Sequence, residues 1–565
     1  MNTTYLFNSL FVFLGACLVF FMQAGFALLE AGLARSKNTT NVLFKNVMDF
    51  GFGTIAFTLV GFGLMYGADA AGIIGTTNFI NPFSSDMNIT DLSPYMYFFF
   101  QLVFCAATAT IVSGAVAGRT KFSSYLICSF LISAFIYPVS GHWLWGGGWL
   151  SKLGYLDFAG SSVVHMAGGI IGLMGAIMVG PRIGKFNKDG SANAIQGHNI
   201  SLATTGMFIL FLGWYGFNPG SELAFDEDAM YICLTTTMSA ATASITTLLL
   251  TWKFYGKPDL SMVLNGLLGG LVAITAGCKN VSIPAAAIIG IIGACVIVIG
   301  VPLVDKLHVD DPVGAVSVHG LCGATGTLCV GLFASRETDM IGLFYGGGLK
   351  LLGIQIIGVV SIMAWCSIAS LIMFKIIKST IGLRVTKEEE LTGLDIKEHG
   401  VLAYPEYELN NIESVSLNTS STTIPSAENI VPMESSVTVD DRRKSGNKIS
   451  NVVMIFNQDK LAALKDGMSA LGVSGITITQ VMGYGIQKGG DKMYRGVPIV
   501  NNILPKVKVE FIVGDIPIEK VIQTAKSILY TGSIGDGKIF VYDVENVIKV
   551  RTGEEGIDAL RNKAI

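Results

Sequence analysis

Apolar runs near the twenty residues needed to cross about 30 Å of hydrocarbon fill the first two thirds of this 565-residue chain. Eleven stand out: Tyr5–Leu33, Val42–Tyr66, Pro94–Ala117, Phe122–Ser140, Asp157–Gly180, Ile200–Phe217, Ala229–Thr251, Leu260–Thr275, Ile283–Val304, Gly314–Phe333 and Gly348–Ile377. Mean hydropathy is +0.57 and 14% of residues are charged, against roughly a quarter in soluble proteins. The chain reads as a polytopic α-helical membrane protein. The nine cysteines, Cys17 to Cys366, all fall in the apolar part without C-x-x-C spacing, so they read as small core residues. The opening MNTTYLF puts no basic residue ahead of its apolar run, so no cleaved signal peptide is expected. A net charge of −3 points to no nucleic-acid partner.

Basic residues sort by loop. Arg35, Lys37, Arg119, Lys121, Arg182, Lys185, Lys188, Lys253, Lys257 and Lys306 fall in alternate loops, while the intervening loops carry Lys152, Lys279 and Arg336. The positive-inside rule then puts the N-terminus outside a cell membrane and the C-terminus in the cytoplasm.

One pattern occurs twice, 154 residues apart: Asp157-x-x-Gly160-x-x-x-Val164-His165 and Asp311-x-x-Gly314-x-x-x-Val318-His319. Of the six histidines, these two are read as lying inside apolar runs. Ionisable groups at membrane depth are costly, so a matched pair points to function, whereas a lone one reads as a satisfied core histidine. Asp157 opens its span from the outer face and Asp311 from the inner face, with five spans per half, which is an inverted repeat. Both histidines then lie about two turns deep and should meet near the midplane.

The outer loops and span ends gather Phe104, Trp145 and Ser221, with Asp226, Glu227 and Asp228 on the same side. Aromatic faces hold a partly dehydrated small cation, and acids raise its local concentration. An interfacial aromatic belt and ordinary packing of Phe104 and Phe217 account for the same residues equally well.

DFAGSSVVH, GWYGFNPGS, VDDPVGAVSVHG and the tail GLRV…LTGLDIKEHG, in that order, make the stretch from Tyr5 to about Tyr404 resemble the ammonium transporters of the Amt/Mep/Rh family. The resemblance implies a homotrimer with one pore per subunit and a recruitment site of Trp145, Ser221 and Phe104, with Asp157 as the structural acid beside it. It also implies a Phe104/Phe217 gate and a pore lined by His165, His319 and Trp214. Asn265 stands where some members have a pore-lining serine. Bare NH4+ would cost several kcal/mol in an apolar pore, whereas NH3 passes cheaply. Deprotonation at the mouth and relay by paired imidazoles therefore suit such a pore, and K+ has no proton to give up.

Beyond residues 1–380 and a tail over 381–403, residues 404–449 are rich in Ser, Thr, Asn and Glu and read as a flexible linker. Its reach is about 40 Å root-mean-square. Residues 450–565 read as a soluble α+β ferredoxin-like domain, β-α-β-β-α-β, with strands in NVVMIF, GITITQVM, KVKVEFIV and KIFVYDV and helices over Lys460–Leu471 and Ile518–Leu529. Gly532 to Lys538 has the G-x4-G-K spacing of a P-loop, but Ile539 replaces the metal-binding Ser/Thr and a strand follows in place of a helix. A nucleotide hydrolase on this motif is therefore not expected, and no metal cluster or nucleophile–base pair marks the chain as an enzyme.

QVMGYGIQKGG, MYRGVP, ILPKVKVE and TGSIGDGKIFVYDVENVIKVRTGEEG make Ser450–Ala564 resemble a PII signal-transduction protein. That resemblance implies ATP or ADP bound between subunits of a trimer by Gly535, Asp536, Gly537, Lys538, Lys549, Arg551, Thr477 and Gly485. Lys549 stands where the family has arginine, and loses its bidentate fork. Gln487 would take Mg2+ together with 2-oxoglutarate, and Lys506 the ligand's carboxylate. Residues 489–503 resemble the effector loop, with Tyr494 and Arg495 near its tip. Val497 and Ile499 replace the residues that relatives modify, leaving ligand binding as the switch. The chain is expected to move ammonium or ammonia under control of its own PII domain, docked on the pore within or between subunits; the rival expectation is an ammonium sensor that signals through that domain.

Overall fold

The computed structural model describes residues 3–83, 91–404, 449–457, 460–473, 475–484, 493–494, 497–498, 503–531 and 536–561, which fall into two compact units. The first contains ten helices long and apolar enough to cross a membrane among the described residues: α1 (Thr3–Leu33), α2 (Ser36–Tyr66), α3 (Pro94–Ala115), α4 (Phe122–Leu153), α5 (Ser161–Val179), α6 (Ile200–Glu222), α7 (Glu227–Tyr255), α9 (Ile283–Lys306), α10 (Val316–Phe333) and α11 (Lys350–Thr380). The shorter α8 (Leu260–Thr275) completes the expected eleven. Several helices start where a side chain accepts an orphan backbone N–H: Asn199, Asp226, Asp259 and Ser282 cap α6, α7, α8 and α9.

Two glycine crossings bring the halves together. The lead helices α1 and α6 run so close that a Cβ on Gly32 would lie 2.5 Å from the Ala203 nitrogen, and one on Gly206 2.4 Å from that of Leu29. Just beyond the histidines, α5 and α10 cross where a Cβ on Gly169 would stand 2.2 Å from the Gly320 nitrogen. No larger residue fits either crossing, and the second sets how near His165 and His319 come.

The face on which α1 begins is here the N-face, and the opposite one the tail face. There Arg182 grips Asp310 with Nε and Nη2, each at 2.8 Å, while Arg119 donates to the carbonyls of Ala117, Gly180 and Asp310. Burial alone would raise the Asp310 carboxyl; Arg182 and Arg119 overcome it and hold the group well below the usual carboxylate range. Residues 381–404 lie against this face. Glu390 accepts from Arg384 and the Ile183 N–H, Asp395 from the N–H groups of Thr40 and Asn41, and Glu398 from that of Phe122.

The second unit runs β1 (Ser450–Phe456), α12 (Leu461–Ala470), β2 (Thr477–Tyr484), β3 (Ile503–Val513), α13 (Ile518–Leu529) and β4 (Lys538–Asp543). The sheet order is β2-β3-β1-β4, antiparallel throughout. Val452, Met454 and Phe456 alternate onto one face and pack with Val521, Ala525 and Leu529, a stripe of α13 at four-residue spacing. β4 starts at Lys538, so a strand does follow the G-x4-G-K segment. Within the expected effector loop, Met493–Tyr494 pairs antiparallel with Val497–Pro498. The 405–448 part of the expected linker, and Gly485, Gln487, Arg495, Ile499 and Gly535, lie outside the described residues.

Candidate functional site: a buried histidine pair under an aromatic vestibule

The repeated motif is a helix start built twice. The Asp157 carboxylate accepts from the N–H groups of Gly160 (2.8 Å), Ser161 (2.8 Å), Ser162 (2.7 Å) and Val163 (3.0 Å) and from Ser162 Oγ (2.6 Å). Asp311 accepts from Gly314 and Ala315 at 3.1 Å and from Val316 at 2.8 Å. Each chain turn needs the left-handed glycine at the fourth motif position, Gly160 at φ +108° and Gly314 at φ +85°. Each histidine then sits in a π-helical turn, Ser161–Met166 or Val316–Leu321. Such widened turns collect at functional sites.

The two imidazoles meet as the repeat predicts. His165 Nδ1 and His319 Nδ1 are 3.2 Å apart, with ring centroids at 5.3 Å and planes 24° apart. Burial is nearly complete, at 0% exposure for His165 and 5% for His319. Trp214 and Phe217 stack on His165 at 5.0 and 5.1 Å, and Trp214 Nε1 donates to Thr275 Oγ1. Phe217 in turn stacks on Phe104 at 4.0 Å and 22°, so two rings close the way from the N-face.

Above that pair of rings a cavity on the N-face is lined by Tyr66, Tyr97, Gln101, Phe104, Trp145 and Ser221. Trp145 lies edge-on to Phe104 at 6.1 Å, and Ser221 Oγ donates to the Phe217 carbonyl. Asp157 does not present its carboxylate here. Its oxygens are spent on the cap, and its link to the vestibule is its carbonyl, which accepts from Trp145 Nε1 at 3.1 Å. Gln101, the polar end of PYMYFFFQ, lines the cavity and was not singled out in the sequence. Of the nearby acids, Asp226 caps α7, while Asp228 is engaged by Lys279 and Arg336.

One sequence reading is corrected. His142 also lies within a spanning helix, since α4 runs on past Ser140 to Leu153, and it is fully buried. Nδ1 meets the Met65 carbonyl at 2.8 Å and Nε2 meets Asp69 at 3.1 Å. Hydrogen bonds from Lys152 and His142 hold the exposed Asp69 carboxyl down to about 2. It is a satisfied structural histidine.

The Ammonium Transporter Family model matches residues 10–404. The chain belongs to that family. It carries in addition a match to Nitrogen regulatory protein P-II over residues 449–554, so this is an ammonium-transporter chain with a C-terminal PII domain. Among its relatives, Ammonium transporter Amt2 of Archaeoglobus fulgidus is 46% identical over 410 residues, covering 69% of this chain and 86% of the relative. A putative ammonium transporter of Synechocystis is 45% identical over 71% of this chain and 89% of its own. Solved structures agree: one titled Sensor Amt Protein superposes with TM-score 0.68 at 40% identity, covering 70% of this chain and 99% of its own, and Candida albicans Mep2 with 0.64 at 27%, covering 70% and 90%.

In the PII domain of this family member, Thr477, Lys538 and Arg551 are exposed, and Lys549 reaches Glu554 at 3.4 Å. Lys506 Nζ donates to Asn457 Oδ1, and Asp536 accepts from the N–H and Oγ1 of Thr531. Gly537, at φ +117°, passes so close to β1 that a Cβ would stand 2.3 Å from the Ile455 carbonyl. Lys538 thus follows a tight backbone turn directly.

Proposed function

We propose that the chain carries ammonium across the cell membrane, with the N-face outside and the tail and PII domain in the cytoplasm. The observation that carries this reading is the Nδ1–Nδ1 pair of His165 and His319, buried directly beneath the Phe104/Phe217 stack. Ammonium is recruited by the faces of Trp145 and Phe104 and by Ser221. It gives up its proton before passing the stacked rings, because an ion there would face apolar walls. Ammonia then meets the imidazoles, whose ring nitrogens accept and donate in turn and can hand the proton on. Three such subunits form a homotrimer, each with its own pore, bounded by membrane lipid.

The PII domain is the regulator. Thr477, Lys538, Lys549 and Arg551, with Gly485, Gly535, Asp536 and Gly537, hold ATP or ADP, whose phosphates supply the charge that orders the loops around them. Gln487 and Lys506 serve Mg2+ and 2-oxoglutarate. The loop carrying Tyr494 and Arg495 closes the pore from the cytoplasmic side, and tethering keeps it at an effective concentration that can reach about millimolar.

The test is ammonium-driven current and pH change in liposomes, with ATP, ADP and 2-oxoglutarate varied on the PII side. The intact chain should conduct with ATP and 2-oxoglutarate and close with ADP, whereas truncation after Tyr404 or Arg495→Ala should conduct under every condition. Similarity to a protein titled Sensor Amt Protein favours a second reading, an ammonium sensor that signals through its PII domain. Ammonium binding without turnover would put that reading first.

A further inference from the structure

Below the histidines, a second cavity is lined by His319, Phe26, Glu30, Asn265, Val313 and Leu268. Phe26 lies 6.0 Å from the His319 ring, and Glu30 follows one helical turn nearer the tail face. Glu30 is only 2% exposed, an unusual place for an acid. Ser113 Oγ at 2.9 Å and Asn46 Nδ2 at 3.2 Å both donate to Oε2, so Oε1 is the oxygen those two donors leave to this cavity-lining side chain. Asn265 donates its amide N–H to the Val313 carbonyl at 3.3 Å, so its amide oxygen is left as the acceptor. Gly114 makes room for this arrangement, since a Cβ there would strike Val313 at 2.5 Å and lie 3.4 Å from Glu30 Oε1.

Among the charged groups that act on Glu30 are Asp49 and Lys45 of α2. Lys45 in turn faces Glu398 of the tail and Arg119, which is itself occupied with Asp310. Asp49 accepts from the Tyr125 hydroxyl at 2.7 Å. Glu30, Asp49 and Lys45 thus form a buried polar cluster beside the cavity. The cavity above Glu30 is where a small protonated amine would donate to Glu30 Oε1 and the Asn265 amide oxygen.

We propose that Glu30, Asn265 and the adjoining face of His319 form a second binding site for ammonium or methylammonium at the tail-face end of the pore, opposite in chemistry to the aromatic site on the N-face. It rests on the pore reading above, in that the two sites are taken as the ends of one path. The N-face site holds a cation against π-faces; this one holds it with a carboxylate, and so receives the ion re-formed when ammonia has passed the histidines.

The probe is radiolabelled methylammonium in equilibrium dialysis against the full-length protein, alongside liposome currents driven from each side. Wild type should bind at two sites per subunit, and Glu30→Gln should keep the N-face site while the second weakens about tenfold, the loss of a hydrogen bond to a charged acceptor. Glu30→Asp, which keeps the charge, should retain the second site. Equal stoichiometry in wild type and Glu30→Gln overturns the proposal, even if both conduct. So does loss of both sites in Glu30→Gln, or identical behaviour of the Asp and Gln variants, since these mark a packing role. Two sites in a wild type that passes no current would leave this proposal standing and remove the transport reading instead.

Discussion

Removing the acid from each copy of the repeated helix start should hurt the two halves very unequally. Asp157 is 3% exposed and its two oxygens accept four backbone N–H groups and one hydroxyl, all between 2.6 and 3.0 Å. In Asp157→Ala those donors stay buried without acceptors, at about 1–3 kcal/mol each. Even at the low end the total is about 5 kcal/mol, a large part of the 5–15 kcal/mol that holds a typical fold. Asp311 is half-buried at the tail face, and its bonds to Gly314, Ala315 and Val316 are longer. Water can replace it, so Asp311→Ala should cost about 1–2 kcal/mol, an ordinary helix-cap loss. The assay is thermal unfolding of the purified protein in detergent, followed by tryptophan fluorescence, with liposome flux measured on the surviving material. Asp157→Ala should fall far below Asp311→Ala in midpoint and lose flux, because His165 stands on the turn that Asp157 holds. Equal midpoints for the two variants would refute the reasoning, since the difference rests on burial and on the number of donors each acid holds.

Replacing either His165 or His319 with leucine should abolish proton-coupled current while size-exclusion chromatography shows an unchanged oligomer; full current in both single variants would remove the relay. Trp145→Leu with Ser221→Ala should raise half-saturating ammonium several-fold, as a cation–π contact is worth about 0.5–2 kcal/mol, and an unchanged concentration dependence would place recruitment elsewhere. The Asp310 carboxyl is held below its unfolded value, so its stabilisation is present above about pH 4 and lost as pH falls through the lowered folded value. The stability gap between wild type and Asp310→Asn should therefore be constant from pH 7 to about 5 and shrink in stronger acid; a gap that stays constant down to pH 3 would show that Arg182 and Arg119 do not act on it.

Hydropathy made the spans legible because each run has to satisfy a bilayer thickness, and the short α8 still showed as an unbroken apolar stretch. The histidine pair was legible because an inverted repeat fixes depth from both sides at once. The π-helical turns that carry both histidines were not, since hydropathy records which face is apolar and is blind to whether a carbonyl bonds four or five residues on. Asp157 was read as a structural acid beside the vestibule, but nothing in its spacing told that its carboxylate would be consumed by five donors within six residues. His142 was missed because the apolar run breaks at GHWLWGGG while the helix continues, supported by Met65 and Asp69 from elsewhere in the chain. In the PII domain, strand alternation and the stripe of α13 at four-residue spacing were plain, whereas the sheet order depends on pairing that no single segment encodes.

The contact between the two imidazoles joins like atoms, Nδ1 to Nδ1, and that imposes a parity on the pore. When both rings are neutral, a single proton lies between them. Either His165 keeps it and leaves its far nitrogen bare, with His319 showing N–H toward the cavity of Glu30, or the reverse holds. The pair is a two-position polarity, like a switch thrown one way or the other. A proton relayed as proposed from the N-face to the tail face would throw the switch and leave it facing the wrong way for the next. Before a second proton can follow in the same direction, both rings must exchange tautomers or turn over. Stacking by Trp214 and Phe217 makes turning the costlier route for His165. On the relay proposed above, throughput would be set by a resetting step that no ammonium gradient drives directly, and an ammonia molecule passing along the wire, taking a proton from one nitrogen and returning it to another, is an agent small enough to perform it.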